Sequence, residues 1–168
     1  QAKLRKNMVV TPDVVSDGNL EEHESSRFRQ KILIIDDSEF NRAILAEVLG
    51  GEFDILEAEN GKEGLEVLEQ YERDISLVLL DIIMPVMDGF EVLGEMVNRN
   101  WIDDIPVIMI SSEDSENIIC RAYEMGVSDY INRPFDTQVV YRRVYNTIKL
   151  YAKQRRLIQL VTDQVYEK

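Results

Sequence analysis

Apolar runs recur along the chain at regular intervals. Lys31-Ile32-Leu33-Ile34-Ile35, Ile75-Ser76-Leu77-Val78-Leu79-Leu80 and Pro106-Val107-Ile108-Met109-Ile110 have the length and two-faced apolarity of strands buried in a parallel sheet. Shorter segments, Phe53 to Glu57 and Asp129-Tyr130-Ile131, predict two further strands. Helical spacing fills the gaps. It predicts a helix over roughly 38–49, with Phe40, Ile44, Leu45, Val48 and Leu49 inward and a stop at Gly50-Gly51. A second runs from Lys62 to about Tyr71 on Leu65 and Leu68. A third spans 90–99 on Phe90, Leu93 and Val97, and a fourth spans about 115–125 and closes at Gly126. Five strands alternating with five helices predict an α/β fold: a doubly wound, five-stranded parallel sheet.

Both ends depart from this alternation. Residues 1–30 hold Thr-Pro, Ser-Asp-Gly-Asn and an acidic cluster without periodicity, and are read as a flexible lead-in. From Thr137 a helical pattern runs to the C-terminus, so the fifth helix is extended. Its stripe of Val144, Ile148, Tyr151, Ile158, Val161 and Val165 continues past Leu150, where the domain it packs on is expected to end. Residues 31–150 are read as the domain. Residues 151–168 are read as a helical linker: a two-stranded coiled coil, or a signalling helix into an output domain lying outside this chain. Arg155 interrupts a strict heptad.

The chemistry lies at strand ends. The first strand runs into Asp36-Asp37, and the third ends at Asp81, followed by the loop Ile82-Ile83-Met84-Pro85-Val86-Met87-Asp88-Gly89. In open parallel sheets, ligands bind beyond the carboxyl ends of the strands. Three carboxylates meeting there repel one another, and a hard divalent cation relieves the repulsion without protonation. Mg²⁺ suits such a site because it takes a few carboxylates and keeps positions for water and phosphoryl oxygens. Simple helix capping is the weaker account of Asp36 and Asp37, since Ser38 suffices as a cap. Ser111 ends the fourth strand and Arg133 ends the fifth. Three acids, a hydroxyl and a cation at one edge suit a phosphoryl group carried on Asp81. Taken singly, Ser111 could be an ordinary strand-end polar residue and Arg133 a surface charge.

Composition narrows the partners. The chain has 168 residues, 45% of them hydrophobic, enough for one full core with extra material at its ends. Net charge is −13, with −18 on residues 31–136 and +5 on 137–168, so the body is a poor nucleic-acid binder. No stretch approaches the ~20 apolar residues of a membrane span, and no signal peptide is visible. The single cysteine, Cys120, lies in Ile118-Ile119-Cys120 and is expected to be a buried thiol in a reducing, cytoplasmic setting. A start at Gln1 and an end on a helical pattern suggest a fragment of a longer protein.

Four stretches in this order closely resemble the receiver domain of bacterial two-component response regulators. They are Ile34-Ile35-Asp36-Asp37-Ser38, Leu79-Leu80-Asp81 through Asp88-Gly89, Pro106-Val107-Ile108-Met109-Ile110-Ser111-Ser112 and Asp129-Tyr130-Ile131-Asn132-Arg133-Pro134-Phe135. The resemblance covers about residues 30–150. It implies the flavodoxin-like (βα)5 receiver fold and a phosphoryl group accepted on Asp81 from a histidine kinase or phosphotransfer protein. It implies Mg²⁺ on Asp36, Asp37, Asp81 and the backbone carbonyl of Ile83. Ser111 takes the place of the switch hydroxyl, Tyr130 that of the aromatic switch, and the bond before Pro134 is expected to be cis. Such a chain is a regulatory phosphoacceptor rather than an enzyme acting on other molecules. A homodimer is expected through the C-terminal helix or the face around Tyr130.

One position departs from the family pattern: Arg133 stands where a lysine is expected. Arginine is a planar fork and lysine a point charge, so phosphorylation is expected to survive with a weaker transmitted signal. Ile83 is expected to slow hydrolysis of the phosphate, with Glu113 partly offsetting it. The run Lys153-Gln154-Arg155-Arg156 resembles linkers into cyclic-dinucleotide phosphodiesterases of the HD type. Two rivals fail on residues. A haloacid-dehalogenase-type phosphatase needs a second aspartate where Ile83 stands, and a flavin binder needs a phosphate loop where Asp36-Asp37 would repel it. A degenerate receiver, acting as a protein-binding module without phosphorylation, is the remaining alternative.

Overall fold

The apolar runs pair as expected. The computed structural model describes residues 29–167 and alternates β1 (Lys31–Ile35), α1 (Glu39–Leu49), β2 (Asp54–Ala58), α2 (Gly61–Tyr71), β3 (Ile75–Leu80), α3 (Gly89–Asn98), β4 (Val107–Ser111), α4 (Glu116–Glu124), β5 (Asp129–Asn132) and α5 (Thr137–Tyr166). All strand pairs are parallel, in the order β2-β1-β3-β4-β5. The order reverses between β1 and β3, whose registered ends, Ile35 opposite Leu80, bring Asp36 and Asp81 together.

Alternation along the strands feeds two cores. Leu33, Ile35, Val78, Leu80, Val107 and Met109 face α2, α3 and α4, where Leu65, Leu68, Val92, Leu93, Met96 and Ala122 are buried. Ile32, Ile34, Leu77, Leu79, Ile108 and Ile110 face α1 and α5, against Leu45, Leu49, Val140, Val144 and Ile148. Each fully buried aliphatic contributes about 2 kcal/mol, so the central strands carry much of the stability. Side-chain caps start four of the five α-helices: Ser38, Asn60, Asp88 and Asp136 each accept from an amide in the following turn, while Ser115 before α4 does not. Gly126, with φ of 107°, follows α4 in the left-handed region open to glycine.

Three expected core positions are not core. Phe40 is 73% exposed, because α1 begins at Glu39 and its first turn stands beyond the sheet edge. Val97 lies in the last turn of α3 and is exposed, while Val92 and Met96 take the inward positions. Cys120 is exposed rather than buried. The buried residue of α4 is Ala122, and two residues on a helix is roughly 200°, which turns Cys120 outward.

Of the expected lead-in, residues 1–28 lie outside the described residues. Arg29 and Gln30 are pinned: the Arg29 guanidinium donates to the carbonyls of Gly50, Glu52 and Phe53, and the Gln30 carbonyl accepts from Asp54 N. At the other end, contact with the domain outlasts Leu150. The Tyr151 hydroxyl lies 3.1 Å from Ser128 Oγ, and Arg155 Nη2 donates to the Asp104 carbonyl at 2.8 Å. Arg155, an interruption in the apolar pattern, is thus the residue that ties the helix to the base of the sheet.

Candidate phosphoacceptor site

Each site residue sits where a strand hands over to a loop. Asp36 follows β1 and Asp81 follows β3, and both are nearly buried, while Asp37 is exposed. Carboxylate oxygens of the three lie within 4.8 Å of one another. Ser38 caps α1, leaving Asp36 free of that duty. Instead Asp36 Oδ1 accepts from Ser38 N at 2.8 Å and its Oδ2 accepts from Arg133 Nη2. Asp81 Oδ1 accepts from Ile82 N at 2.8 Å, and Arg133 Nη1 stands 3.7 Å from Asp81 Oδ2. Arg133 thereby bridges two of the three acids, while its Nε is buried with no partner among the described residues. The bond from Arg133 to Pro134 is cis, as expected.

The remaining groups close the pocket. Ser111 is buried at the end of β4, its Oγ accepting from Glu113 N at 3.2 Å. Tyr130 is buried on β5, and its hydroxyl donates to the Glu113 carbonyl at 2.7 Å. Ser111 and Tyr130 therefore converge on one short segment after β4. Burial raises the Tyr130 phenol above its ordinary value. Gly89 keeps the loop after β3 folded against the site: a Cβ there would stand 2.4 Å from the Asp81 carbonyl oxygen. Ile83 is exposed at this edge.

Sequence reasoning missed Arg42. Its guanidinium donates to the Asp36 carbonyl at 2.7 Å and pairs with Glu57, holding the loop after β1 to β2. Its place one turn into α1 from Ser38 was the available signal. Val86, exposed with φ of 69°, was also missed. Nothing in its residue type announces the left-handed region, which β-branched side chains disfavour.

Burial, and then the Asp36 charge, push the Asp81 carboxyl up from 3.8 to about 6, against the lowering pull of Arg133. Arg133 thus compensates the cluster only in part. The donor set, hard carboxylate oxygens with one cation in excess demand, fits Mg²⁺.

The response regulator receiver domain family matches residues 32–145, and the chain belongs to that family. The chemotaxis protein CheY of Halobacterium salinarum is 39% identical over 107 residues, 63% of this chain and 86% of the relative. A probable cyclic di-GMP phosphodiesterase of Vibrio cholerae is 36% identical over 118 residues, and the match spans only 26% of that protein. Among solved structures, the CheX–CheY–BeF3–Mg complex from Borrelia burgdorferi matches with a TM-score of 0.65 at 30% identity, over 69% of this chain and 87% of that one. The signal receiver domain of a LuxO repressor protein from Vibrio parahaemolyticus matches at 0.72 with 19% identity, over 77% and 98%, a likeness of fold alone.

The raised Asp81 pKa has a stability consequence. The folded state holds this proton more tightly than the unfolded chain, so without divalent ions stability falls as pH rises from about 4 to about 6. The loss attributable to Asp81 is up to about 3 kcal/mol. Asp81→Asn removes the charge and is expected to melt higher than the parent at pH 7.5 in chelator, with less gain on adding Mg²⁺. Thermal melts with and without the ion check this; equal melting temperatures in chelator would show that Asp81 is unstrained.

Proposed function

We propose that the chain is a phosphorylation-controlled switch, in which Asp81 accepts a phosphoryl group from the phosphohistidine of a sensor histidine kinase or phosphotransfer protein. The observation carrying this reading is the convergence of Asp36, Asp37 and Asp81 at the β1–β3 edge, with Ser111 and Arg133 completing the set. An Asp81 carboxylate oxygen attacks phosphorus, the P–N bond breaks, and its electron pair returns to the imidazole. Mg²⁺ would be held by Asp36, Asp37, Asp81 and the Ile83 carbonyl, and when bound supplies neutralising charge for the phosphoryl oxygens. Arg133 pairs with those oxygens as a fork, and the Ser111 hydroxyl donates to one of them. Ser111 and Tyr130, joined through the Glu113 segment, carry the change to the face around β5 and α5. Exposed Phe40, Ile83 and Val86 at the same edge suit the docking of a phosphodonor.

The same reading assigns a cytoplasmic setting, where a lone cysteine stays reduced, and a regulatory role for an output domain beyond residues 151–168. Cyclic-dinucleotide hydrolysis is the output we favour; the relative bearing that name matches only over part of its length. Among the described residues no helix is long and apolar enough to cross a membrane. A second copy of the chain is the further partner proposed. One observation favours a second reading, a phosphorylation-independent interaction module: Arg133 already pairs with Asp36. Incubation with Mg²⁺ and acetyl phosphate, followed by intact mass, separates the two. The switch gains one phosphoryl group that Asp81→Asn does not; the module gains none.

Two substitutions probe the details. Ile83→Asn supplies a side chain able to hold the attacking water and is expected to shorten the phosphate lifetime severalfold, read by mass against time. Arg133→Lys replaces a fork with a point charge and loosens the hold on Asp36. Calorimetry is expected to show Mg²⁺ binding tightened severalfold, with a larger phosphorylation-dependent change in assembly. If neither changed, Arg133 would be an equivalent of the lysine.

A further inference from the structure

Charge on the fifth helix is of one sign over most of its length. From Thr137 to Thr162 it holds six cations, Arg142, Arg143, Lys149, Lys153, Arg155 and Arg156, and no carboxylate, in a chain of net charge −13. Three of the six are engaged where the helix lies on the domain. Arg143 stands 3.7 Å from Asp129, Arg155 donates to the Asp104 carbonyl, and Arg142 lies over the Tyr141 ring. The other three, Lys149, Lys153 and Arg156, fall at i, i+4 and i+7, within about 60° of one another around the helix. All three are exposed, and none pairs with a carboxylate among the described residues.

The chain enters the domain beside this stripe. Gln30, Phe53, Tyr145, Ile148, Lys149 and Ala152 line one cleft of about 180 Å³. The acids on either side of Phe53 are already engaged, Asp54 with Arg29 and Glu52 with the Tyr141 hydroxyl. Gln30 precedes β1 at the base of the sheet, the end at which Tyr151 and Arg155 meet Ser128 and Asp104. The entering chain and the departing helix therefore share one end of the fold. Upstream of Gln30 the sequence is the charge complement of the stripe. Residues 12–26 hold Asp13, Asp17, Glu21, Glu22 and Glu24, and neither lysine nor arginine.

We propose that Glu21-Glu22-His23-Glu24 docks on α5 of the same chain, against Lys149, Lys153 and Arg156. Glu24 lies six residues before Gln30, at most about 20 Å of extended chain, whereas Lys149 to Arg156 spans about 10 Å of helix. The reach leaves slack. Residues 31–136 carry −18 and repel the acidic segment, which leaves α5 as the cationic surface within its range. Each exposed ion pair is weak by itself, but the tether holds the segment at high effective concentration beside the stripe. Docked, the segment is an electrostatic strap over the helix that leaves the domain. An acidic partner approaching this flank must displace it, and salt releases it. The strap needs no phosphate on Asp81, and so stands or falls separately from the switch.

The test uses the full chain in a Cys120→Ser background without phosphodonor. Ser25→Cys with Ala152→Cys puts one thiol beside the acids and one on the basic flank, and keeps every charge. In glutathione buffer this pair is expected to close an intramolecular disulfide about tenfold more readily than Ser25→Cys with Leu150→Cys, which lies on the opposite side of the helix. High salt is expected to abolish the preference. Lys149→Glu, Lys153→Glu and Arg156→Glu together are expected to abolish it as well, with unchanged circular dichroism. Adding Glu21→Lys, Glu22→Lys and Glu24→Lys is expected to restore it. Equal closure at positions 152 and 150, or a preference indifferent to salt and to charge exchange, would overturn the proposal, because a tethered but undocked segment behaves so. Disulfides found only in dimers at low protein concentration would also overturn it, since they place the segment on a second copy.

Discussion

Adjacency of β1 and β3 in parallel register forces two carboxylates to share one corner of the sheet, and the local electrostatics follow from that. Ile35 stands opposite Leu80, so the next residue of each strand, Asp36 and Asp81, emerges at the same height. Both are nearly buried, and Asp37 adds a third charge. Like charges in a poorly solvated corner raise the affinity for protons and cations alike. Arg133 answers part of this demand from β5, two strands further across the sheet. A stable strand pairing thus gathers negative charge at one corner, including a carboxylate whose charge is costly to maintain alone.

The second theme is how one corner communicates with the rest. Ser111 ends β4, Tyr130 lies within neighbouring β5, and both bond to the segment at Glu113. The opposite ends of the same strands touch α5: Ser128 beside Tyr151, and Asp104 beneath Arg155. Strands are stiff, so contacts at their two ends are mechanically connected, although coupling itself requires two arrangements of that connection. The helix is anchored where it can register the sheet, and its last turns project beyond it.

Much of this was legible in the chain because it depends on local pattern. Apolar runs ending in Asp36-Asp37 and Asp81 announced both the central strands and the acid corner, since a carboxylate after a buried strand has few other uses. Ser111 and Arg133 were legible by the same rule of strand ends, whereas Tyr130 was legible only through the resemblance to the receiver family. What failed were statements about which side a helix turns. Phe40, Val97 and Cys120 sit in helices of the right extent, but a shift of one or two residues in where the helix meets the sheet rotates each outward. Arg42 and Val86 were missed because their roles lie in a carbonyl contact and a backbone angle, which no side-chain pattern encodes.

The fifth helix draws the boundary most clearly. The sequence by itself determined that a helix runs on from Thr137, that it carries an apolar stripe, and that it turns basic after Leu150. Only the tertiary structure decided where the stripe ceases to be core, with Val140, Val144 and Ile148 buried and Ile158, Val161 and Val165 exposed, because that depends on where the domain surface stops. Likewise, residue types at strand ends determined which acids belong to the site. Only the packing of β5 beside β4 decided that Arg133 reaches Asp36 and Asp81, since a side chain's partner is set by distances through space.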